Sequence, residues 1–339
     1  MRRCIELAQL GAGKVAPNPM VGAVLVHSGR IIGEGYHQQY GEAHAEVNCI
    51  YDVKPDDQKL LSASVLYVSL EPCAHHGKTP PCSDLIIQKK IPVVVIGCRD
   101  PFTKVDGKGI DKLKNAGVEV EIGILEPECK TLNKRFLTFV TKKRPYIILK
   151  WAQTANGKIA ADINERLLIT NEYTNRMVHQ WRSEEAAILV GTNTALLDNP
   201  SLTNRLWYGK DPVRMVLDMN LRLPSTLKIF DQQQKTIVFN GLKQEENKNI
   251  IFQFINKKDD IIHQILNNTY ERKLQSILVE GGAQLLQSFM DAGCWDESRV
   301  ITNDALTITG GLPAPLFKHD SPVGVEKIAT DTIYYYTNK

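Results

Sequence analysis

The chain has 339 residues, a length that exceeds one ordinary domain and favours two. Its 43% hydrophobic and 23% charged residues describe a soluble globular protein able to bury substantial cores. The net charge of +3 is small for this length, which argues against broad electrostatic binding of nucleic acid.

The cysteine count and the apolar runs bear on cellular location. Seven cysteines, an odd number without framework spacing, argue against a secreted disulfide scaffold. Residues 1–6 carry charge, but no apolar stretch typical of a signal peptide follows them. The longest apolar runs, such as 91–97 and 146–149, are too short to span a bilayer. We therefore expect a cytoplasmic protein without a membrane partner.

Strand and helix signals alternate through the first half of the chain. Residues 21–26 and 30–36 predict a β-hairpin that turns at Ser28-Gly29. The predicted elements that follow are a helix over 44–51, strands over 64–69, 93–97 and 118–123, and helices over 82–89 and 108–116. This alternation indicates a layered α/β/α sandwich.

Metal-binding residue types lie at the ends of these elements. His44 opens a helix, Cys73 follows a strand, and Cys82 lies in the first turn of a helix with Pro81 at its N1 position. Zinc held by His, Cys and Cys keeps a position open for water, whose pKa it brings to roughly 7, and a nearby Glu moves the protons. Positions i and i+2 do not share a helix face, so Glu46 reaches this site only where its helix is just beginning. The pattern predicts a catalytic zinc site with Glu46 as acid/base.

Two alternatives remain open for these residues. The histidine and the cysteines could be buried core residues that bind no metal. They could also hold a closed structural zinc, with His75 or His76 as the fourth ligand. A closed zinc has no water to deprotonate, so the number of protein ligands separates this alternative from the catalytic one.

Three segments of the first half, 17–24, 35–47 and 71–82, resemble the deaminase domain of the bifunctional riboflavin-biosynthesis deaminase–reductase family. The long spacing between Cys73 and Cys82 is part of this resemblance. It implies a cytidine-deaminase-like fold that removes the 2-amino group of 2,5-diamino-6-(5-phosphoribosylamino)pyrimidin-4-one. The substrate-binding residues that it implies are Asn18, His37, His75 and Lys78.

A basic segment that closes with Pro145 predicts the border between two domains, residues 1–144 and 145–339. Apolar residues between 132 and 140 predict one helix before this border. A buried-type strand over 146–152 opens the second domain, and another strand is predicted at 212–218.

The second half resembles the reductase domain of the same family, which is related to dihydrofolate reductase. Segments 154–160, 191–205 and 276–283 carry the resemblance, and in the last of them a strand meets a helix through Gly281 and Gly282. Two glycines there allow a pyrophosphate to approach the helix N-terminus closely. No G-x-G-x-x-G motif supports a Rossmann fold. The resemblance implies a dihydrofolate-reductase-like α/β domain that uses NADPH to reduce the ribosyl side chain to ribityl.

The same resemblance assigns roles to residues of this half. The catalytic residues that it implies are Asp198 and Lys150. The substrate-binding residues are Arg166, Arg182, Leu202, Arg205 and Glu280. The cofactor-binding residues are Ala152, Leu168, Thr194, Asp198, Gly281 and Gly282. We expect Arg182 and Arg205 to clamp phosphate, because guanidinium offers paired donors to phosphate oxygens.

Two departures from the family pattern leave alternatives open. Ala155 and Asn156 replace Leu and Asp, and the segment 162–168 lacks the usual serines and tryptophan, which alters the wall at Arg166 and Leu168. One alternative is a deaminase, of this substrate or of a nucleotide or tRNA, with a degenerate reductase domain. Another is a non-catalytic zinc module fused to a nucleotide-sensing domain. We expect a bifunctional enzyme with one zinc per deaminase site, NADPH, a small phosphorylated pyrimidine as substrate and no nucleic-acid partner; a homo-oligomer is left open.

Overall fold

The computed structural model describes residues 1–75, 80–103, 105–161, 167–318 and 321–338. It divides into two compact units, Met1–Lys143 and Arg144–Lys339. Arg144 donates two hydrogen bonds to the Asp296 carboxylate, at 2.6 and 2.8 Å, which places this residue with the second unit. Among the described residues, no helix is both long enough and apolar enough to cross a membrane.

The first unit is built on one five-stranded sheet. Its strands are β1 (Gly22–His27), β2 (Arg30–Tyr36), β3 (Val65–Leu70), β4 (Val93–Cys98) and β5 (Glu119–Ile122). Its helices are α1 (Arg2–Gln9), α2 (Ala45–Asp52), α3 (Cys82–Gln88), α4 (Lys108–Asn115), α5 (Glu126–Leu132) and α6 (Lys134–Lys142), with a 3-10 helix at Pro55–Ala63. The strand order is β2-β1-β3-β4-β5; β1 is antiparallel to both of its neighbours, and β3, β4 and β5 are parallel.

Helices cover both faces of this sheet because its strands are apolar on both sides. Along β1, Leu25 joins the core formed with α2, α3 and α4, whereas Val24 faces the opposite side and packs against α1. Successive strand residues point to opposite faces, so one apolar run serves two cores. On the α1 side, Cys129 of α5 packs with Leu70 and Cys98 of the sheet. The predicted α/β/α sandwich is confirmed.

Two local predictions for this unit were wrong. The single helix expected around residues 132–140 is two helices, because Asn133 leaves the helix and exchanges hydrogen bonds of 2.8 Å in both directions with the backbone of Met20. Pro81, expected at N1 of its helix, is the N-cap, and Cys82 is the first helical residue.

Helix α2 packs directly on the backbone of β2. A Cβ at Gly33 or Gly35 would overlap backbone atoms of Cys49 in α2, and at Gly35 it would also overlap the carbonyl of Ala45. Ala45 is the first residue of α2, and the extended N-cap residue before it is His44. The two glycines therefore determine how closely the beginning of α2 approaches the sheet.

We predict that Gly35→Ala destabilises the first unit by at least about 1–3 kcal/mol, as overpacking does, and lowers its metal content. Chemical unfolding followed by circular dichroism, with metal analysis of the folded protein, measures both effects. The matched control is Gly324→Ala, also on a strand, where a Cβ meets only ordinary contacts with Tyr335. Wild-type stability and metal content in Gly35→Ala would contradict this packing.

The second unit contains a ten-stranded sheet and a small two-stranded one. Its first six strands are β6 (Tyr146–Thr154), β7 (Lys158–Ala160), β8 (Ala187–Gly191), β9 (Val213–Leu217), β10 (Thr236–Asn240) and β11 (Glu245–Asn247). The other six are β12 (Ile250–Phe254), β13 (Ser276–Val279), β14 (Glu297–Asn303), β15 (Leu312–Pro313), β16 (Gly324–Ile328) and β17 (Asp331–Thr337). Its helices are α7 (Glu172–Glu184), α8 (Thr192–Asp198), α9 (Ile261–Glu271) and α10 (Ala283–Asp291), with a 3-10 helix at Lys228–Phe230.

The large sheet has the order β11-β12-β10-β9-β8-β13-β6-β14-β17-β16, and β7 pairs with β15. Seven neighbouring strands of this order are parallel to one another: β12, β10, β9, β8, β13, β6 and β14. Antiparallel strands flank them at both edges. Helices α9 and α10 pack on one face, and α7 and α8 on the other. The carboxyl ends of β6, β8, β9 and β13 therefore meet at one edge, which is where open α/β sheets bind ligands.

Candidate active sites

The three predicted metal ligands of the first unit come together. His44 Nδ1 lies 3.5 Å from the Cys73 sulfur and 3.3 Å from the Cys82 sulfur. Each residue stands at an element end: His44 caps α2, Cys82 begins α3, and Cys73 lies three residues after β3. The Cys73 carbonyl accepts the N–H of Ser83 at 3.2 Å, which joins the turn after β3 to the beginning of α3, and all three side chains turn towards one point.

This donor set fits a zinc ion. At usual Zn–N and Zn–S bond lengths, a tetrahedral ion separates its nitrogen and sulfur ligands by roughly 3.6 Å, close to the spacing found here. The hydrogen bond from Cys82, against the effect of burial, lowers the pKa of the Cys73 thiol, and His44 acts in the same direction. Among the described residues, the cluster holds only these three ligands, and His75 is not one of them. His76 lies outside the described residues.

Glu46 lies next to this cluster, in the first turn of α2. Residues two apart, such as His44 and Glu46, do not share a face of a regular helix. Here they can, because His44 is extended (φ −74°, ψ 167°) and precedes the helix. The Glu46 side chain hydrogen-bonds Cys82 and is buried, with 3% of its surface exposed. Burial raises the pKa of Glu46 to about 7, and the neighbouring Cys73 acts in the same direction.

Asn18, four residues before β1, and His37, directly after β2, lie beside the cluster. Asn18 Nδ2 donates to His37 Nε2 at 3.1 Å, and His37 Nδ1 donates to the Ala43 carbonyl at 3.0 Å. Burial lowers the pKa of His37, in agreement with this neutral tautomer. The His37 ring meets the His44 ring edge to face, with centroids 5.3 Å apart. Both nitrogens of His37 are thus used within the protein, whereas the Asn18 amide oxygen has no such use among the described contacts.

His75 forms another part of this region. Its ring lies edge to face with Phe102, with centroids 6.3 Å apart, and its buried Nδ1 has no hydrogen-bond partner within the described residues. A buried polar atom of this kind suits a ligand group. Lys78, expected beside it, lies outside the described residues.

The second unit has a cavity of about 1130 Å³ at the carboxyl edge of its parallel strands. Ten residues that the sequence marked line it: Lys150, Ala152, Leu168, Arg182, Thr194, Asp198, Leu202, Glu280, Gly281 and Gly282. Its volume slightly exceeds the range usual for single small ligands. Two residues fall outside this set. Arg205 is exposed and does not line the cavity, and Arg166 lies outside the described residues.

A buried group of charges forms one wall of the cavity. Arg182 donates to both oxygens of Glu280, at 2.9 and 2.7 Å, and to the Thr203 carbonyl at 3.2 Å. Burial alone would raise the pKa of Glu280, but the charges of Arg182 and Lys150 outweigh it and lower this pKa to about 2. Arg182, expected to clamp phosphate, therefore uses three of its five N–H donors in hydrogen bonds within the protein. In this structure the charge of Arg182 lowers the pKa of Glu280.

Gly281 and Gly282 form a cradle between β13 and α10. Their φ angles are +118° and +73°, and a Cβ on either would stand 3.3 Å from the Thr194 side chain. The free space above these two residues thus depends on their lacking side chains. It opens at the N-terminus of α10, where backbone N–H groups and the helix dipole favour an anion.

The departures from the family pattern have local explanations. Asn156 Nδ2 donates to the Ile308 carbonyl at 2.8 Å while its Oδ1 accepts from the Thr154 hydroxyl at 2.7 Å. An aspartate could accept there but could not donate. Leu168 lies at the rim of the cavity with 73% of its surface exposed.

The comparisons with known proteins cover both units. Residues 1–98 match the cytidine and deoxycytidylate deaminase zinc-binding region, and residues 145–322 match the RibD C-terminal domain. The riboflavin biosynthesis protein RibD of Actinobacillus pleuropneumoniae is 40% identical over 97% of this chain and 87% of its own length. The chain belongs to the RibD family of riboflavin biosynthesis proteins.

Solved structures extend this likeness to the whole fold. A diaminohydroxyphosphoribosylaminopyrimidine deaminase/5-amino-6-(5-phosphoribosylamino)uracil reductase of Thermotoga maritima superposes with a TM-score of 0.90 at 39% identity, covering 100% of this chain and 97% of its own. RibD of Acinetobacter baumannii gives a TM-score of 0.89 at 31% identity, with the same coverage. The two predicted fold classes and the bifunctional deaminase–reductase of riboflavin biosynthesis are confirmed. The degenerate-reductase and nucleotide-sensing alternatives are not favoured.

Two buried residues near these sites were missed from the sequence. Glu71, within the motif 71–82, accepts four backbone hydrogen bonds. His179 lies one turn before Arg182 on α7, and its Nδ1 accepts from the Arg205 backbone N–H at 2.9 Å. The i, i+3 spacing of His179 and Arg182 could have indicated a shared helix face.

We predict that the His179 imidazole stays neutral far below its ordinary range. Burial, and then the charges of Arg182 and Arg205, lower its pKa from 6.5 to about 4. Because the folded-state pKa lies below the unfolded one, the stability linked to this group is present above pH 6.5 and is lost as the pH falls through 4. An NMR titration, with the resonance assigned through His179→Gln, should give a midpoint near 4; a midpoint at 6.5 or above would show that the ring is not buried beside the arginines.

Proposed function

We propose that residues 1–144 deaminate 2,5-diamino-6-(5-phosphoribosylamino)pyrimidin-4-one and that residues 145–339 then reduce its ribosyl chain with NADPH. The observation that carries the proposal is the meeting of His44, Cys73 and Cys82 at distances that suit zinc, with the buried Glu46 beside them. The activity named for the Thermotoga maritima relative supports the choice of substrate.

In the deaminase, His44, Cys73 and Cys82 would hold the zinc ion. When bound, zinc supplies Lewis acidity and an activated water at neutral pH. Glu46 takes a proton at its carboxylate, delivers it to the ring nitrogen next to the carbon under attack, and passes a proton to the departing ammonia. Its burial excludes bulk water from this transfer, and its place in the first turn of α2 holds the carboxylate on the ligand side.

The substrate ring would lie between Asn18 and His75. The Asn18 amide is oriented by His37, which leaves the Asn18 oxygen to accept from an amino group of the pyrimidine. His75 offers a buried ring nitrogen that has no protein partner among the described residues. Lys78 would meet the phosphate of the ribosyl chain. His37 acts through Asn18, since both of its nitrogens are already bonded.

In the reductase, the Gly281-Gly282 cradle and the N-terminus of α10 would hold the pyrophosphate of NADPH. Thr194, Ala152 and Leu168 line the same cavity and would complete the cofactor wall. When bound, NADPH supplies the hydride. Asp198 would lie near the nicotinamide, at the end of α8.

Glu280 and Lys150 would orient the open-chain imine of the sugar. Residues 148, 150, 278 and 280 share one face of neighbouring strands, so these two side chains meet beside α7. Glu280 stays ionised throughout the working pH range, because its pKa is about 2. It can therefore accept hydrogen bonds from sugar hydroxyls without taking up a proton. Leu202 adds an apolar contact, and Arg205 would approach the phosphate from outside the cavity. Arg166, which lies outside the described residues, would be a further substrate-binding residue.

The first test incubates the purified zinc-loaded protein with the diaminopyrimidine phosphate and follows ammonia. We expect Glu46→Gln to bind zinc normally and to lower the deamination rate by at least about 10²–10⁴-fold, the usual contribution of general acid–base catalysis. NADPH-dependent reduction of the deaminated pyrimidine serves as the internal control and should not change. Near-normal ammonia release by Glu46→Gln would remove this residue from the mechanism.

The second test follows NADPH oxidation in Asp198→Asn with the deaminated pyrimidine as substrate. We expect slower oxidation with unchanged ammonia release from the first substrate, because Asp198 lines only the cavity of the second unit. A variant that loses both activities together would contradict separate sites. Ammonia release by the wild-type protein without any NADPH oxidation would contradict the proposed reductase.

A further inference from the structure

Glu71 is a buried carboxylate whose place is one residue beyond β3. It is 4% exposed, and its two oxygens accept four backbone N–H groups. Oε1 accepts from Gly109 at 3.0 Å and from Ile110 at 3.3 Å, and Oε2 accepts from Gly107 at 3.1 Å and from Asp100 at 3.3 Å. Four donors on one side chain far exceed what a single salt bridge or cap would need.

These donors come from two different segments. Gly107, Gly109 and Ile110 form the N-terminal turn of α4, whose first N–H groups have no partner within the helix. Asp100 belongs to the loop that follows β4. The negative charge also lies at the favourable end of the α4 dipole. Glu71 therefore ties the end of β3 to the loop after β4 and to the beginning of α4.

The Glu71 backbone leads directly to a proposed zinc ligand, Cys73. Glu71 N donates to the Cys98 carbonyl at 3.0 Å, which carries the β3–β4 pairing up to the turn. The next carbonyl, that of Pro72, lies against Gly109, where a Cβ would overlap it. The backbone on both sides of Glu71 is thus fixed, and Cys73 leaves it in a determined direction.

Glu71 also reaches the substrate side of the site. Asp100, which donates its N–H to Glu71, accepts the N–H of Phe102 at 2.9 Å. The Phe102 ring in turn packs edge to face against His75. One carboxylate is therefore connected to a metal ligand through the chain and to a proposed substrate residue through the Asp100 loop.

We propose that Glu71 is a positioning residue of the deaminase, which sets the orientation of Cys73 and of the Phe102–His75 wall through its four backbone hydrogen bonds. The inference rests on the proposed zinc site. Glu71 would not contact the substrate; its hydrogen bonds would orient Cys73 and the Phe102–His75 wall at the same time.

The test compares Glu71→Gln with the wild-type chain after loading with Co²⁺, whose thiolate charge-transfer and d–d absorption report the geometry of the two sulfurs. A glutamine amide nitrogen donates and cannot accept, so at least one pair of N–H groups loses its partner. We expect an altered Co²⁺ spectrum, a roughly 10- to 100-fold weaker Zn²⁺ affinity in chelator competition, as for outer partners of metal ligands, and a lower kcat for deamination. Reductase activity should be unchanged.

Two further variants keep the test decisive. Gly109→Ala keeps the Glu71 side chain, but its Cβ would overlap the Pro72 carbonyl and stand 3.2 Å from Glu71 Oε1, so it should alter the Co²⁺ spectrum in the same direction even if Glu71→Gln fails to fold. Asp331→Asn removes another buried carboxylate that accepts a backbone N–H, from Asn171 at 2.9 Å, in the second unit. It should lower stability without any change in the spectrum.

The outcomes separate this inference from the proposed function. A wild-type chain that binds no Co²⁺ through thiolates, or releases no ammonia, would overturn the proposed deaminase itself. A wild-type chain that does both, with Glu71→Gln and Gly109→Ala unchanged in spectrum and metal affinity, would overturn only the positioning role. Lower thermal stability with an unchanged spectrum in both variants would give Glu71 a purely structural role and equally overturn it.

Discussion

The seating of α2 on β2 is the constraint on which the deaminase site depends. Because Gly33 and Gly35 have no side chains, the backbone of α2 packs directly against the backbone of β2. The N-cap of this helix is the metal ligand His44. His44 can then be extended while Glu46 is already helical, so residues two apart point to one centre. A side chain on the sheet beneath would separate the imidazole from the two thiols.

The second unit solves a different problem, which is to keep a carboxylate ionised in a buried wall. The Glu280 side chain is 8% exposed, and desolvation alone would raise its pKa; the bidentate contact with Arg182 and the nearby Lys150 reverse this effect. Such a buried pair adds little net stability, yet loss of one partner costs about 3–5 kcal/mol because it strands a charge. The arrangement therefore contributes a fixed negative group at the cavity wall more than it contributes to folding.

Much of this could be predicted from local sequence, and the remainder depends on distant contacts. The five strands of the first unit and the strands β6, β9 and β13 of the second follow from short apolar runs, and the cluster of His44, Cys73 and Cys82 follows from residue types at element ends. The helix break at Asn133 could not be predicted, because its hydrogen-bond partner Met20 is more than a hundred residues away in the sequence. The donors to Glu71 are backbone groups of two other segments, which leave no mark in side-chain patterns. The roles of Asp198, Lys150 and Arg205 rest on the family resemblance and stay predictions.

The central claim is that three protein side chains, and not four, surround the zinc of the first unit. X-ray absorption at the zinc edge of the loaded full-length protein tests it most directly. We predict two sulfur neighbours, one imidazole nitrogen and one oxygen from solvent that is displaced by a substrate analogue. A second imidazole, such as that of His76, in place of the oxygen would contradict the account, since a closed zinc leaves Glu46 with no water to deprotonate.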